Sequence, residues 1–202
     1  DYLHDVLASD RYKLYDPSLN GGLWVGKPYA KKGAWKRDPI NNLSHGATVF
    51  EVARFYYLLE TGRLVSDESS LKMKTMLADP AIKHKFVLGL SVHRPDARIY
   101  RKSGTWRTYH SDSAIVERDG RRYIAVALAD SPSGGTWLAN LIVAMDDLVF
   151  SPENVSKDRK RQRLAGNRCP LPIGLHSALY ARDADTTGLG ATAAEHRRAC
   201  PR

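Results

Sequence analysis

The stretch that decides the fold is residues 98–129, RIYRKSGTWRTYHSDSAIVERDGRRYIAVALA. Apolar and polar residues alternate in three short runs, at 98–102, 113–117 and 123–129, and this period of two is typical of half-buried strands. Asp119-Gly120 stands between the last two runs and is a strong hairpin signal, because both residues tolerate the backbone of a tight turn. The stretch therefore predicts short antiparallel strands.

Helices are predicted on both sides of these strands. A short one covers 2–8, and a longer one begins at the capping box Thr48-Val49-Phe50-Glu51 and ends at Gly62. A third begins at Ser66 and stops before Pro80, and the cleanest runs from 137 to 150. The residues expected to face the core are Val49, Val52, Ala53, Tyr56 and Tyr57, then Leu71, Met73, Met76 and Leu77, and finally Leu138, Leu141, Ile142, Met145, Leu148 and Val149. The order of elements indicates an α+β domain with helices packed on an antiparallel sheet.

Length and composition indicate which classes of protein the chain can belong to. The chain has 202 residues, of which 43% are hydrophobic, enough for one well-buried core. No apolar run approaches the roughly 20 residues that span a bilayer. The sequence opens with Asp1-Tyr2-Leu3-His4 and shows no signal peptide, so we expect the gene product to start upstream.

The last quarter of the chain differs in character from the rest. Residues 151–202 hold 10 Lys/Arg and 5 Asp/Glu, so they carry +5 of the total charge of +9 and leave +4 for residues 1–150. The segment has no sustained apolar period and contains both cysteines, Cys169 and Cys200. We therefore predict a folded domain over 1–150 and a basic, disordered tail over 151–202. Nucleic-acid binding by this tail and the basic stretch 29–37 is a weak alternative.

A short motif lies at the end of the first predicted strand, Lys102-Ser103-Gly104-Thr105. Three common residues in a row carry little information, and an ordinary edge strand with a solvated lysine would look the same. The context strengthens the signal, because a second strand, an Asp-Gly turn, a third strand and a long helix follow. In that context the motif resembles the Lys-Thr/Ser-Gly element of class A β-lactamases and penicillin-binding proteins.

The resemblance covers roughly residues 2–150. The helices at 48–63 and 64–79 resemble the pair that precedes the sheet in class A enzymes, and the final helix agrees in position and length. Asp112 begins a run that resembles the family's next strand, where an aspartate has a structural hydrogen-bonding role. The resemblance implies a β-lactamase/transpeptidase-like fold in a partial domain whose N-terminal part is missing.

The resemblance also assigns roles to the motif. Lys102 would supply a fixed positive charge beside Ser103 and Thr105 and so bind a substrate carboxylate, while Gly104 would let a flat acyl group lie along the backbone. The Thr105 N–H would contribute to an oxyanion hole. Arg107 and His110 follow Lys102 and are expected on the same side of the cleft. Arg107 could replace the family's carboxylate-binding arginine, although both residues could equally be surface residues of a turn.

A second segment, Asp16-Pro17-Ser18-Leu19-Asn20, resembles the family's Glu-Pro-Glu-Leu-Asn stretch on the omega loop. By this resemblance Asp16 would be a catalytic acid that holds the deacylating water together with Asn20. Asp16 is one methylene shorter than the family's glutamate, and a simple turn in which the aspartate caps its own backbone is the alternative. The loop at 21–44 has no counterpart in the family.

The nucleophile motif of the family, Ser-x-x-Lys, is expected before Tyr2, as is the family's Ser-x-Asn. Ser69-Ser70-Leu71-Lys72 fits the first pattern, but it stands only about 30 residues before Lys102 and inside a helix that resembles a structural one, so we reject it. Ser9-Asp10-Arg11 lacks the asparagine of the second.

The function implied is β-lactam hydrolysis through a serine acyl-enzyme. The alternatives are a D-alanyl-D-alanine peptidase or esterase on the same fold, and a non-catalytic fragment that binds peptidoglycan-like ligands. No cofactor is implied, and His45, His84, His93 and His110 lack metal-ligand spacing. By the resemblance, the partners are a small β-lactam, peptidoglycan-like or ester substrate, with no nucleic acid. A monomeric protein in the periplasm or secreted is expected.

Overall fold

A computed structural model describes residues 2–26 and 36–164. The elements are α1 (Tyr2–Ala8), β1 (Tyr15–Asp16), a 3-10 turn (Pro17–Leu19), β2 (Gly21–Gly22), β3 (Trp24–Val25), β4 (His45–Gly46), α2 (Val49–Glu60), α3 (Asp67–Met76), α4 (Phe86–His93), β5 (Arg98–Trp106), β6 (Tyr109–Arg118), β7 (Arg121–Asp130), α5 (Gly134–Val149) and α6 (Pro152–Leu164). The mixture of helices and antiparallel strands confirms the predicted α+β class.

The central sheet has the order β5-β6-β7, with both neighbouring pairs antiparallel. Asp119 and Gly120 both have positive φ, which confirms the predicted hairpin. The strands are longer than the sequence indicated, because β5 and β6 continue to a second tight turn at Arg107-Thr108. Two further short pairs, β1-β2 and β3-β4, each have one strand within the predicted loop at 21–44.

Two apolar cores lie on the two faces of this sheet. On one face α4 and α5 cover Ala114 and Val116 of β6, and on the other α2 covers Ile115. Successive residues of a strand point to opposite faces of the sheet. The positions of Ala114, Ile115 and Val116 in β6 therefore show, through the strand pairing, which face each side chain of β5 and β7 occupies.

The apolar faces of the helices are only partly as predicted. On α5, Leu138 and Ile142 are buried, whereas Leu141 is 41% exposed and Leu148 is 61% exposed. On α3, the predicted core residues Leu71 and Met76 face solvent. On α2, Val49 is exposed, and Leu58 and Leu59, which were not predicted to face the core, are buried. Apolar residues beside the buried face of a helix fit the same helical spacing as the buried ones. The sequence pattern therefore does not reveal which of these residues contact the sheet.

Two further differences concern elements that the sequence did not indicate. The helix α4 was missed because its segment FVLGL is apolar throughout and shows no period. The tail begins with a helix, α6, where disorder was expected, and Arg121 pairs with Asp158 on it. The rest of the tail, 165–202, lies outside the described residues, as do both cysteines and most of the basic stretch 29–37. Each helix in the described part of the chain is too short or too polar to cross a membrane.

Candidate active site

The strand that carries Lys102-Ser103-Gly104-Thr105 is an edge strand of the central sheet, and residues 2–26 and 36–164 cover only its first half. Ala78 bridges Tyr100, and the Arg101 N–H donates to the Leu77 carbonyl at 2.7 Å. In an antiparallel ladder the backbone groups of alternate residues point to opposite sides of the strand. The N–H groups of Ser103 and Thr105 therefore point to the same outer edge as that of Arg101, beyond the point where the bridge ends.

The strand register separates the motif's side chains onto two faces. Lys102 pairs with Ser113 and Gly104 with Ser111, so these residues share the face covered by α2. Ser103 and Thr105, which pair with Asp112 and His110, share the face covered by α4 and α5. The sequence interpretation placed His110 on the same side as Lys102, and the register instead places it on the opposite face.

Lys102 is exposed, and its Nζ donates to the Ser103 carbonyl at 2.6 Å. The strand beneath it is held by side chains: Ser113 Oγ donates to the Lys102 carbonyl at 3.0 Å, and Tyr56 Oη of α2 donates to the Ser113 carbonyl at 3.1 Å. Burial raises the pKa of Tyr56, which keeps this phenol a neutral donor. The lysine thus presents a solvent-facing positive charge on a fixed backbone.

Gly104 lies directly beside the side-chain hydroxyl of Ser111 on the neighbouring strand. A Cβ at this position would stand 2.8 Å from Ser111 Oγ, closer than carbon and oxygen normally approach. The absence of a side chain leaves the face beside Lys102 flat, as the acyl-binding role requires.

The opposite face opens into a pocket of about 460 Å³ between α4, α5 and the ends of β5 and β6. Its polar lining includes His84, Lys85, Thr105, His110, Thr136 and Asn140. The His110 ring packs against Gly134 at the start of α5, where a Cβ would come within 2.7 Å of it. Burial lowers the pKa of His84, as does the neighbouring Arg101 guanidinium, so this ring is neutral at neutral pH.

Beneath the motif lies a buried ion pair, Arg101 with Asp112. The guanidinium makes two bonds to the carboxylate, Nε to Oδ1 at 2.8 Å and Nη2 to Oδ2 at 2.7 Å, and the side chains are 2% and 0% exposed. Asp112 also accepts the Phe86 N–H at 3.1 Å, and Arg101 also donates to the Ile82 carbonyl at 2.9 Å. This geometry agrees with the structural role expected for Asp112, and it ties the start of α4 to the sheet under Lys102.

Arg107 lies in the β5-β6 turn with φ of 53° and is exposed, with its guanidinium 5.6 Å from the centre of the Trp106 ring. Trp106 itself is 69% exposed and pairs with Tyr109 across the turn. The guanidinium is therefore at the tip of the hairpin, beyond the motif.

Asp16 and Asn20 flank the 3-10 turn Pro17–Leu19. Asp16 Oδ1 accepts both the Ser18 N–H at 2.8 Å and the Ser18 hydroxyl at 2.7 Å, and these bonds hold the pKa of Asp16 below its ordinary value. Asn20 ends the turn in the left-handed conformation, with φ of 62°. The segment thus has the self-capped turn that was the alternative interpretation, and it places the two side chains at opposite ends of that turn.

Next to this turn lies a carboxyl group that the sequence assigned only to helix capping. The Glu51 backbone N–H donates to Thr48 Oγ1 at 3.2 Å, which is the predicted cap. Its side chain is 1% exposed, lies against Gly22, and has an Oε2 atom without a hydrogen-bond partner among the described residues. Burial raises the pKa of Glu51, and the nearby Asp16 charge raises it further, against a lowering by Arg54.

The rejected Ser-x-x-Lys pattern lies on α3. Ser69 Oγ bonds with Ser66 Oγ at 3.0 Å, while Lys72 pairs with Glu68 at 2.7 Å on an exposed surface. The lysine is thus engaged by a carboxylate and not by the serine. Within the described residues, no cluster of histidine, cysteine and acidic side chains could hold a metal ion.

An antiparallel sheet with helices on both faces and a Lys-Ser-Gly segment on its edge strand define a β-lactamase/transpeptidase-like architecture. Residues 29–149 match the model of the β-lactamase enzyme family, and the chain belongs to that family.

Among solved structures, a β-lactamase from Sphaerobacter thermophilus DSM 20745 has a similar fold, with a TM-score of 0.51 and 18% sequence identity over 73% of this chain. The match covers 52% of that β-lactamase, so the chain spans about half of its length. No curated protein matches the chain.

Proposed function

We propose that this chain forms the substrate-binding edge of a serine β-lactamase that hydrolyses β-lactams through an acyl-enzyme. The observation that carries the proposal is the outer edge of β5, which the described residues leave uncovered beyond Arg101. An exposed lysine charge, a glycine and an outward-pointing Thr105 N–H follow one another there. These groups have the chemistry that an acyl substrate with an adjacent carboxylate requires.

In the proposed reaction, a serine oxygen attacks the lactam carbonyl, the ring C–N bond breaks and the nitrogen takes up a proton. Water then cleaves the resulting ester and regenerates the serine. Lys102 attracts the substrate carboxylate, Gly104 admits the acyl group, and the Thr105 N–H stabilises the oxyanion as it forms. The serine belongs to the Ser-x-x-Lys that the family resemblance places before Tyr2.

A second candidate is a D-alanyl-D-alanine peptidase or esterase, in which water hydrolyses the acyl-enzyme formed with a β-lactam only slowly. The Asp16 geometry supports it, because Oδ1 already accepts two bonds from Ser18 and the side chain is one methylene shorter than a glutamate. A carboxylate held in this way is a weaker base for a deacylating water than a free glutamate.

The full-length protein should be assayed with a chromogenic cephalosporin and with an ester substrate. Lys102→Ala should lower kcat/KM by about 10²-fold or more, a loss of roughly 2.7 kcal/mol in transition-state stabilisation. Lys72→Ala is the matched control, since that lysine is exposed on α3 and pairs with Glu68.

Single-turnover kinetics separate the candidates. Rapid acylation with turnover supports the β-lactamase, and rapid acylation with a persistent adduct supports the peptidase. If the wild type neither turns over nor is acylated, the site is a binding module and the proposal is wrong.

A further inference from the structure

Lys85 is a buried cation directly under the end of the motif. It is 3% exposed, and its Nζ donates to the Gly104 carbonyl at 2.5 Å, to Thr105 Oγ1 at 2.8 Å and to the Ser111 carbonyl at 3.1 Å. An ammonium has three protons, so these three acceptors use its full donor capacity. All three acceptors are uncharged, and burial accordingly lowers the pKa of Lys85.

The backbone around Lys85 is built to hold it there. Lys85 has φ of 52°, a conformation that residues other than glycine rarely adopt. The next N–H, that of Phe86, donates to Asp112, and the preceding carbonyl, that of His84, accepts from Arg101 at 3.1 Å. The buried ion pair thus fixes the residues on both sides of Lys85 and offsets the cost of its conformation.

The Gly104 carbonyl and the Thr105 N–H belong to one peptide group. A trans peptide is planar, with its C=O and N–H pointing in opposite directions. The strand alternation places the Thr105 N–H on the open edge of β5, and the Gly104 carbonyl therefore points inward, where the Lys85 ammonium meets it.

We infer that Lys85 is a positioning residue, which fixes the Gly104-Thr105 peptide and polarises it so that the Thr105 N–H is a strong, correctly aimed oxyanion donor. The inference rests on the proposed function, in which that N–H stabilises the acylation transition state. A charged donor on the carbonyl oxygen draws electron density through the peptide and strengthens the N–H on its far side. The bond to Thr105 Oγ1 holds the same residue from its side chain.

In the full-length enzyme, Lys85→Met should lower the acylation rate by about 10- to 100-fold and leave KM nearly unchanged, because the lost interaction acts on the transition state. Lys85→Arg should recover part of the rate, since a guanidinium can still donate to the same carbonyl. Lys83→Met is the matched control, because that neighbouring lysine is exposed and should leave the rate as it was. A rate for Lys85→Met within about 2-fold of wild type, or a change confined to KM, would overturn the inference.

A second measurement does not need activity and so separates this inference from the proposed function. The Thr105 amide should be followed by NMR and hydrogen exchange in wild type, Lys85→Met and Lys85→Arg. We expect an upfield proton shift and slower base-catalysed exchange in Lys85→Met, because the less polarised N–H is less acidic, with partial recovery in Lys85→Arg. If the Thr105 amide is the same in all three proteins, the inference fails even where the enzyme is active. If the amide responds but the wild type is never acylated, the proposed function fails instead.

If Lys85→Met does not fold, wild type alone provides the test. A buried ammonium with three acceptors should give a slowly exchanging NMR signal, and its correlation to Gly104 is expected. A rapidly exchanging, solvent-like Lys85 ammonium would overturn the inference.

Discussion

Replacement of Asp112 by asparagine tests the element that positions the motif. The substitution keeps the shape of the side chain but removes the charge that faces the Arg101 guanidinium, and both side chains are almost fully buried. It also turns an amide NH₂ towards Arg101 or the Phe86 N–H, both of which are donors. A buried ion pair that loses one partner leaves the other uncompensated, so Asp112→Asn should lower the free energy of unfolding by about 3–5 kcal/mol.

Urea unfolding followed by circular dichroism measures this loss as a shift in midpoint at constant slope. Asp119→Asn is the matched control. Its pair with Arg118 is 62% exposed on the aspartate side, and asparagine also accepts the positive φ of that turn, so its effect should be about 0–1 kcal/mol. A loss below about 1 kcal/mol for Asp112→Asn would refute the view that the pair is buried and intact.

Three further outcomes are expected. Ile142→Ala should lower the free energy of unfolding in urea by about 2–5 kcal/mol, because Ile142 is buried. Leu141 is 41% exposed, so Leu141→Ala should lower it by roughly 1 kcal/mol or less. The reverse order would show that the other face of α5 packs on the sheet. Because the folded chain raises the pKa of Glu51, the native state binds more protons than the unfolded one, so stability should fall as pH rises above the ordinary glutamate pKa. Glu51→Gln should flatten that fall and be more stable than wild type at neutral pH, and an unchanged pH profile would contradict the burial. Deletion of 165–202 should leave the cooperative thermal melt intact, because that segment has no sustained apolar period. Deletion of 152–202 should lower the melting temperature, because it also removes the Arg121–Asp158 pair. Loss of the melt in the shorter deletion would show that the tail belongs to the core.

The sequence predicted the elements that depend on local patterns. The Asp119-Gly120 hairpin, the cap at Thr48 and the αL ending at Gly62 all rest on residue types whose backbone preferences are intrinsic. It missed α4, whose apolar run has no period, and it placed Leu141 in the core. These errors arise because the contact between a helix and its sheet depends on residues distant in the chain.

The residues of the candidate site were also only partly predictable from the sequence. Lys102 and Gly104 could be found because the motif is contiguous and its strand pattern is clear. Lys85 could not be found, since a lysine beside an unrecognised helix looks like any surface lysine. The separation of His110 from Lys102 follows from the register, which depends on the Arg107-Thr108 turn.

The measurement that tests the central claim most directly is the mass of the intact full-length protein after a brief incubation with benzylpenicillin. Opening of the lactam ring releases no leaving group, so acylation should add the mass of the whole penicillin, and peptide mapping should find it on the serine of a Ser-x-x-Lys. Lys102→Ala should form the adduct about 10²-fold more slowly. A folded protein that forms no adduct and also leaves the penicillin unhydrolysed, or an adduct on Ser69 of α3, would contradict the account.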